Sequence, residues 1–168
     1  MGGGTFAIMC SSSYNSNFDV YKAFDGNSST TWSAGQESGD IYIVFYNPNL
    51  INITNIAIKN ISSASIAGYF YSGGGEVFGS LDGTEWTKLT DYTNTVSSYG
   101  STWNISLTDN KGFYNYYKVN TTAPHPWGGS QGWVIAECVA TGTEITSGTP
   151  DYVNAWAAPN EHKWAIKY

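Results

Sequence analysis

The sequence contains no arginine, few charged residues and no long apolar run. Charged residues make up 12% of its 168 residues, and the seven basic residues, all lysines, are scattered, giving a net charge of −6. Nucleic acids and anionic membrane surfaces both select clustered basic residues, so neither partner is predicted. No apolar stretch approaches the roughly 20 residues of a membrane-spanning helix, so direct membrane insertion is not expected.

Residues that carry catalysis are also scarce. The only histidines are His125 and His162, and the nucleophile-elbow motif of serine hydrolases is missing. No Cys/His cluster has the spacing of a zinc site. The acidic residues are scattered over predicted turns, although two of them could still meet in three dimensions. The sequence therefore predicts a protein that is not an enzyme.

Two cysteines, Cys10 and Cys138, lie near opposite ends of the regularly patterned region. A disulfide between them would connect the first strand to the last. Two buried free thiols are the alternative. The sequence leaves both open, because the redox compartment is not known.

The residues that are abundant favour strands and turns. Aromatic residues make up 16% of the chain, and β-branched residues, Ser, Thr, Asn and Gly are frequent. Alternating or continuous apolar runs predict strands at 41–46, 53–61, 76–81, 84–89, 102–107, 114–120 and 133–141. The pair Asp82-Gly83 predicts a tight hairpin turn, and 19–24 is the one helical segment. The pattern indicates an all-β sandwich or jelly roll.

Four motifs occur in an order that identifies a family: "AFDGNSSTTW", "GSLDGTEWTKL", "YNYYKV" and "WVIAECVATG". From residue 10 to residue 142 the chain resembles the coagulation factor 5/8 C-terminal (discoidin) domains and the similar family 32 carbohydrate-binding modules. The resemblance implies an eight-stranded, galactose-binding-like jelly-roll β-sandwich that binds and does not catalyse. We therefore expect a discoidin-like domain at 1–142. The aromatic tail at 143–168 is interpreted as extra strands, a linker or an oligomer contact.

The stretch "KAFDGNSSTTW" offers the hard oxygen ligands that calcium prefers. Asp25 supplies a carboxylate, Gly26 permits a sharp turn, and Thr30 supplies a hydroxyl. The alternative is an ordinary turn in which Asp25 caps backbone amides. Trp32 is assigned to the core, and an exposed aromatic residue is the other interpretation. The family resemblance implies a structural Ca²⁺ held by Lys22 (carbonyl), Asp25, Asn27 (carbonyl), Thr30, Glu137 and Cys138 (carbonyl).

A glycan site needs an aromatic platform and a few fixed polar groups. In the family this site lies on variable loops at one end of the sandwich. Because no motif marks its residues, the candidates follow from the types of residue in the loop segments. Trp127 is equally well explained as a buried loop anchor. For His125, between two prolines, the favoured interpretation is a solvent-exposed loop residue, with a ligand contact as the alternative. The candidate ligand residues are Trp127, His125, Gln131, Tyr69, Tyr71, Tyr14 and Asn15.

The sequence as a whole predicts a non-catalytic, calcium-stabilised carbohydrate-binding module. It would attach a larger extracellular or phage-appendage protein to glycans at a cell or virion surface. The alternative is an assembly or decoration domain of a virion or fibre, acting through protein contacts. In that case the aromatic tail, which contains Trp156 and Trp164, would mediate homo-oligomer formation.

Overall fold

The computed structural model describes residues 7–35, 41–61, 74–93, 99–109, 112–121, 131–145 and 161–164, with main chain alone at 131–132 and 161–164. These residues form ten strands and two short 3-10 helices, Ser16–Phe18 and Val20–Ala23. The strands are β1 (Ala7–Cys10), β2 (Trp32–Gly35), β3 (Ile41–Lys59), β4 (Gly74–Ser80), β5 (Thr87–Thr93), β6 (Thr102–Ser106), β7 (Tyr114–Thr121), β8 (Gln131–Ile135), β9 (Glu137–Glu144) and β10 (Glu161–Trp164).

The predicted all-β sandwich is confirmed, and β3 is its central strand. Eight strands are joined in the order β10-β9-β3-β7-β4-β5, with β1 and β6 also paired to β3, while β2 and β8 form a separate pair. Residues 41–46 of β3 pair with β1 and β7, whereas residues 51–59 pair with β9 and β6. One 19-residue strand therefore belongs to two layers, where the sequence had predicted two separate strands.

The register of β3 breaks between Tyr46 and Ile51, around the sequence Asn-Pro-Asn. Proline has no amide hydrogen to contribute to a ladder, so it belongs at such an irregularity. The buried hydroxyl of Tyr117 accepts a hydrogen bond from the Ile53 amide at 3.1 Å and donates one to the Ile51 carbonyl at 2.8 Å. This side chain satisfies the backbone where the strand passes between layers.

The core fills the space between the two halves of β3. Trp32 is fully buried, as predicted, and its ring meets Trp133 edge to face at 5.8 Å. Phe45 stacks on Tyr117 from the neighbouring strand at 6.1 Å. Side chains from both layers belong to one apolar cluster, including Ile43, Val77, Val119, Ile56, Ile58, Trp103 and Ile105.

Two further predicted elements, the helix and the last strand, also differ from the structure. The predicted helix at 19–24 is a single 3-10 turn, Val20–Ala23, which Asp19 caps by accepting the Val20 amide at 2.6 Å. The predicted strand at 133–141 is divided at Ala136 into β8 and β9. The division arises because β8 pairs with β2, whereas β9 pairs with β3. An apolar run carries no information about which partner each half selects.

The predicted hairpin is present as β4 paired with β5, with a longer connection than the two-residue turn expected. Gly83 has a φ of +78°, the left-handed conformation that glycine favours. The Ser80 hydroxyl accepts the amides of Asp82 and Gly83, which closes the loop. Six residues, 81–86, separate the two strands.

Candidate functional site

Strand ends converge at one end of the layer formed by β1, the first half of β3, β7, β4 and β5. Ile41 pairs with Thr121, Thr121 pairs with Gly75, and Gly74 pairs with Thr93. The first residue of β3, the last of β7, the first of β4 and the last of β5 therefore lie side by side. We call this the loop end, because these strand ends flank residues 36–40, 62–73, 94–98 and 122–130.

The segment after β1 lies at the same end, because the Ser11 amide donates to the carbonyl of Tyr42, next to Ile41, at 3.0 Å. The segment is also bonded to β2. The amide of Tyr14 donates to the Ser33 carbonyl at 2.8 Å, and the Gly35 amide donates to the Ser12 hydroxyl at 3.1 Å. Gly35 in turn pairs with Gln131 at the start of β8. These contacts bring the main chain of Gln131 beside the Tyr14 segment.

Of the predicted ligand residues, Tyr14 and Asn15 are described in full. Tyr14 is 41% exposed, and its ring rests edge-on against Phe18 at 6.0 Å. Asn15 is also exposed, but its side chain accepts the Asn17 amide at 2.8 Å as the cap of the first 3-10 helix. Gln131 is placed by its main chain only. The other candidates, Trp127, His125, Tyr69 and Tyr71, lie outside the described residues.

The predicted calcium turn is a compact set of oxygen atoms. Asp25 accepts the Asn27 amide at 2.8 Å through Oδ1 and the Thr30 hydroxyl at 2.7 Å through Oδ2. The Asn27 carbonyl lies 2.8 Å from the same hydroxyl, and Gly26 turns the chain with a φ of +73°. The capping role of Asp25, which was the alternative to a metal ligand, is thus present in the structure.

Glu137 comes to this turn from the far end of the sequence. Because Trp32 pairs with Ile135 in an antiparallel register, residues just before β2 lie beside residues just after β8. Glu137 Oε1 accepts the Gly26 amide at 3.4 Å. Burial raises the pKa of Glu137, and the nearby Asp25 carboxylate raises it further. Two carboxylates therefore lie close together and repel each other.

The donor chemistry of this turn fits Ca²⁺. Asp25, Glu137 and the Thr30 hydroxyl are hard oxygen ligands, and the Asn27 carbonyl lies among them. The second 3-10 helix, which contains Lys22, packs against β9, where Cys138 follows Glu137. Within the described ranges, no three His, Cys, Asp or Glu side chains form a metal-binding group. A cation here would depend on carbonyl and hydroxyl oxygens for much of its coordination.

The cysteines are not joined by a disulfide. Cys138 is buried on β9 opposite Ile58, whereas Cys10 is half-buried on β1 opposite Ile43. Burial raises the pKa of the Cys138 thiol to about 12. Of the two interpretations that the sequence left open, the structure contains separate thiols, with Cys10 only partly enclosed.

Sequence reasoning missed an aromatic surface on the outer face of the layer that contains β1, the first half of β3, β7, β4 and β5. We call this layer the first layer. Lys118 Nζ lies 4.8 Å from the Phe78 ring centroid and 4.7 Å from that of Trp86, while Tyr116 lies against Tyr46 at 4.6 Å. The alternation in "YNYYKV" already places Tyr116 and Lys118 on one face of a strand. It could not show that the hairpin loop brings Trp86 to the same face.

Solved structures share this fold at low sequence identity. A putative chitobiase fragment from Bacteroides thetaiotaomicron has a TM-score of 0.69 and 20% identity, covering 85% of this chain and 92% of that one. CpGH89CBM32-5 from Clostridium perfringens, in complex with GalNAc-β-1,3-galactose, has a TM-score of 0.64 and 16% identity, covering 79% and 92%. The family 32 module of C. perfringens NanJ, in complex with galactose, has a TM-score of 0.61 and 15% identity, covering 80% and 92%.

No curated protein matches the chain significantly in sequence. Among the described residues, no helix is both long enough and apolar enough to cross a membrane. The F5/8 type C domain family matches residues 7–139, which is most of the chain and includes the Asp25 turn, the hairpin and the start of β9. The chain therefore belongs to the F5/8 type C domain family.

Proposed function

We propose that this domain is a non-catalytic carbohydrate-binding module whose glycan site lies at the loop end and whose Asp25 turn holds a structural Ca²⁺. It acts outside the cell, as part of a larger protein that it attaches to glycans. The larger protein that carries it would be a secreted enzyme or a phage appendage, and a module of this kind fits either.

The observation that carries the proposal is the convergence of strand ends at the loop end. Four strands of one layer begin or end there, and hydrogen bonds between Ser11 and Tyr42 connect the Tyr14 segment to the start of β3. Binding residues in such domains sit on loops that a rigid sheet positions. The exposed ring of Tyr14, near these strand ends, can stack on the apolar face of a pyranose.

The comparisons support the ligand class. Two of the similar structures are complexes with galactose or with GalNAc-β-1,3-galactose. A chitosan-binding module of a Paenibacillus chitosanase/glucanase also shares the fold, with a TM-score of 0.59 and 22% identity. Because these likenesses show the fold alone, a sugar ligand for this chain is our inference.

The proposed Ca²⁺ would stabilise the fold at the Asp25 turn. The turn contains two nearby carboxylates, and a bound cation would neutralise their repulsion. It would also join residues 25–30 to the start of β9, reinforcing the 3.4 Å hydrogen bond between Gly26 and Glu137. The ion therefore stabilises the fold, and ligand recognition stays at the loop end.

A glycan array followed by calorimetric titration tests this function. We expect millimolar-to-micromolar affinity for at least one glycan, reduced by about tenfold in Tyr14→Ala and in Trp127→Ala. Phe113→Ala is the matched control, because Phe113 is a similarly exposed aromatic residue at the start of β7, away from the loop end. Absence of any glycan ligand, or equal losses in all three variants, would remove the loop end as the binding site.

The assembly-domain alternative depends on the tail. In the structure, β10 pairs with β9 of its own chain, so residues 161–164 have an intramolecular partner. Light scattering decides between the readings. A stable oligomer that dissociates when residues 146–168 are deleted supports assembly, whereas a monomer before and after deletion supports the independent binding module.

A further inference from the structure

A groove of about 460 Å³ lies on the outer face of the first layer, separate from the loop end. Its floor follows one row of the sheet, in which Met9 pairs with Val44 and Val44 pairs with Lys118. Tyr42 and Tyr116 extend the floor along β3 and β7. This volume falls within the range of small-molecule sites, roughly 300–1,000 Å³.

Two walls enclose the floor. Met9 on the edge strand β1 forms one wall and is 49% exposed. The hairpin loop forms the other wall with Asp82, Gly83 and Trp86. Gly83 approaches the Tyr116 ring so closely that an added Cβ would lie 3.3 Å from it. The loop is therefore folded over the sheet face instead of extending into solvent.

The aromatic groups in the groove are held in place. Lys118 Nζ lies over Phe78 and over the Trp86 indole, at 4.8 and 4.7 Å from the ring centroids. Such cation–π contacts restrain both the ammonium group and the rings. Tyr116 is supported by Tyr46 at 4.6 Å. A ligand would therefore meet a preorganised aromatic surface and would pay little to order it.

The hairpin loop also presents a fixed acceptor. The Ser80 hydroxyl and the amides of Thr84 and Glu85 all donate to Asp82 Oδ1, at 3.1, 2.8 and 3.0 Å. The amides of Glu85 and Thr84 hold the pKa of Asp82 well below its usual range, so the group is ionised at neutral pH. A carboxylate accepts about four hydrogen bonds and three are already made, so Asp82 can accept about one more from a ligand hydroxyl.

The charges of the residues that line the groove favour a neutral ligand. Its lining contains one carboxylate, Asp82, and one ammonium group, Lys118, so its formal charge is zero. Both groups already have partners within the domain. Because these two charges cancel, the groove as a whole attracts neither an anionic nor a cationic ligand. A neutral ligand with one apolar face and several hydroxyls would match the rings and the polar groups together.

Size argues against a macromolecular partner. A stable protein interface buries about 800 Å² on each partner, which needs some 20–30 residues a side. The groove has eight lining residues and is bounded by Met9 on one side and the hairpin loop on the other. An occupant the size of one or two sugar rings fills such a space, whereas a folded partner would rest mainly on its rim.

We propose that this groove is a second carbohydrate site, which binds a neutral pyranose between Trp86, Tyr116 and Asp82 independently of the loop end. It rests on the proposed function for its ligand class, but uses different residues on a different surface. Two sites on one domain would let the module bind one polysaccharide at two points or two chains at once, with a gain in avidity.

An NMR titration of the ¹⁵N-labelled full chain tests this site directly. The probes are galactose, glucose, mannose, N-acetylgalactosamine and N-acetylglucosamine at millimolar concentrations, with galacturonate as the charged counterpart of galactose. We expect the Trp86 indole N–H and the amides of Gly83 and Lys118 to shift with at least one neutral sugar. Trp86→Ala should weaken this binding by about tenfold or more.

Two further variants protect the test against misfolding. Met9→Glu alters an exposed wall residue and should also weaken binding at the groove by about tenfold. Leu81→Glu is its control, because Leu81 is 62% exposed in the same loop but does not line the groove. Tyr14→Ala, at the loop end, should leave the groove shifts unchanged.

The possible outcomes distinguish a failure of the second site from a failure of the proposed function. Shifts confined to the loop end overturn the second site and leave the proposed function intact. Shifts confined to the groove support the second site and overturn the loop end. Absence of shifts at either surface overturns both. Tighter binding of galacturonate than of galactose overturns the neutral ligand class, and concentration-dependent shifts of Met9 without sugar identify a second copy of the chain as the occupant.

Discussion

The Glu137 carboxylate accepts a hydrogen bond from the Gly26 amide across 111 positions of the chain. The contact follows from the pairing of β2 with β8, which brings the turn before Trp32 to the residues after Ile135. An early polar turn is thereby connected to the start of β9, next to the core. Stability of the domain should depend on this connection, and calcium is the agent that we propose reinforces it.

Removal of calcium should lower the melting temperature. At a free Ca²⁺ concentration a hundred times Kd, binding to the native state contributes about 2.7 kcal/mol, which a chelator abolishes. Asp25→Ala should lower the melting temperature in calcium and remove the response to chelator. The control is Asp109→Ala, an exposed carboxylate on the β6–β7 connection. Equal melting curves with and without chelator for the native chain would show that no bound Ca²⁺ stabilises the domain.

Tyr117→Phe should destabilise the domain by about 1–3 kcal/mol. The substitution removes the two buried hydrogen bonds that the Tyr117 hydroxyl makes with the Ile53 amide and the Ile51 carbonyl. Urea unfolding of the two chains measures the difference. The neighbouring variant Tyr116→Phe, at a half-buried ring on the outer face, should stay within about 0.5 kcal/mol of the native chain. Equal effects of the two variants would contradict this role of the Tyr117 hydroxyl.

Asp82 should make stability depend on acid pH. Hydrogen bonds from Glu85 and Thr84 depress its pKa in the folded state. Its contribution is therefore fully present above the unfolded pKa, near 3.8, and is lost as the pH falls below that value. Denaturant unfolding at pH 7 and pH 3 should show a smaller acid loss for Asp82→Asn than for the native chain. The same loss in both would show that this carboxylate is not stabilised by folding; Asp109→Asn is the control.

The two thiols should differ in reactivity. Cys138 is buried and its pKa is raised to about 12, so a thiol reagent such as DTNB should reach it only after unfolding. Cys10 is half-buried at the edge strand and should react in the native protein. Counting the labelled thiols before and after denaturant, in the native chain and in Cys10→Ala, checks this. Detection of a disulfide, or rapid native labelling of Cys138, would contradict the structure.

Much of the fold was readable from local pattern. The alternation around Ile56 and Ile58 and the apolar run from Ile41 predicted strands that the structure contains. Trp32 was assigned to the core and is fully buried. These predictions succeed because strand propensity and burial are both encoded by residue type at a spacing of two.

Pairing partners were not readable in the same way. Nothing in "WVIAECVATG" marks Ala136 as the point where the chain leaves one sheet for another, and Pro48 did not reveal that β3 continues into a second layer. Partner choice depends on contacts between residues far apart in the chain. Periodicity within one segment carries no information about them.

The residues of this chain by themselves determined its class: antiparallel strands, a glycine-dependent turn at Asp25-Gly26, and a composition without a basic face or a catalytic cluster. The tertiary structure alone decided which of them meet. It brought Glu137 to the turn, set Ser12 beside Gly35, and folded the hairpin so that Trp86 lies over Lys118. Local sequence encodes conformation and burial, whereas a binding surface is created by long-range register.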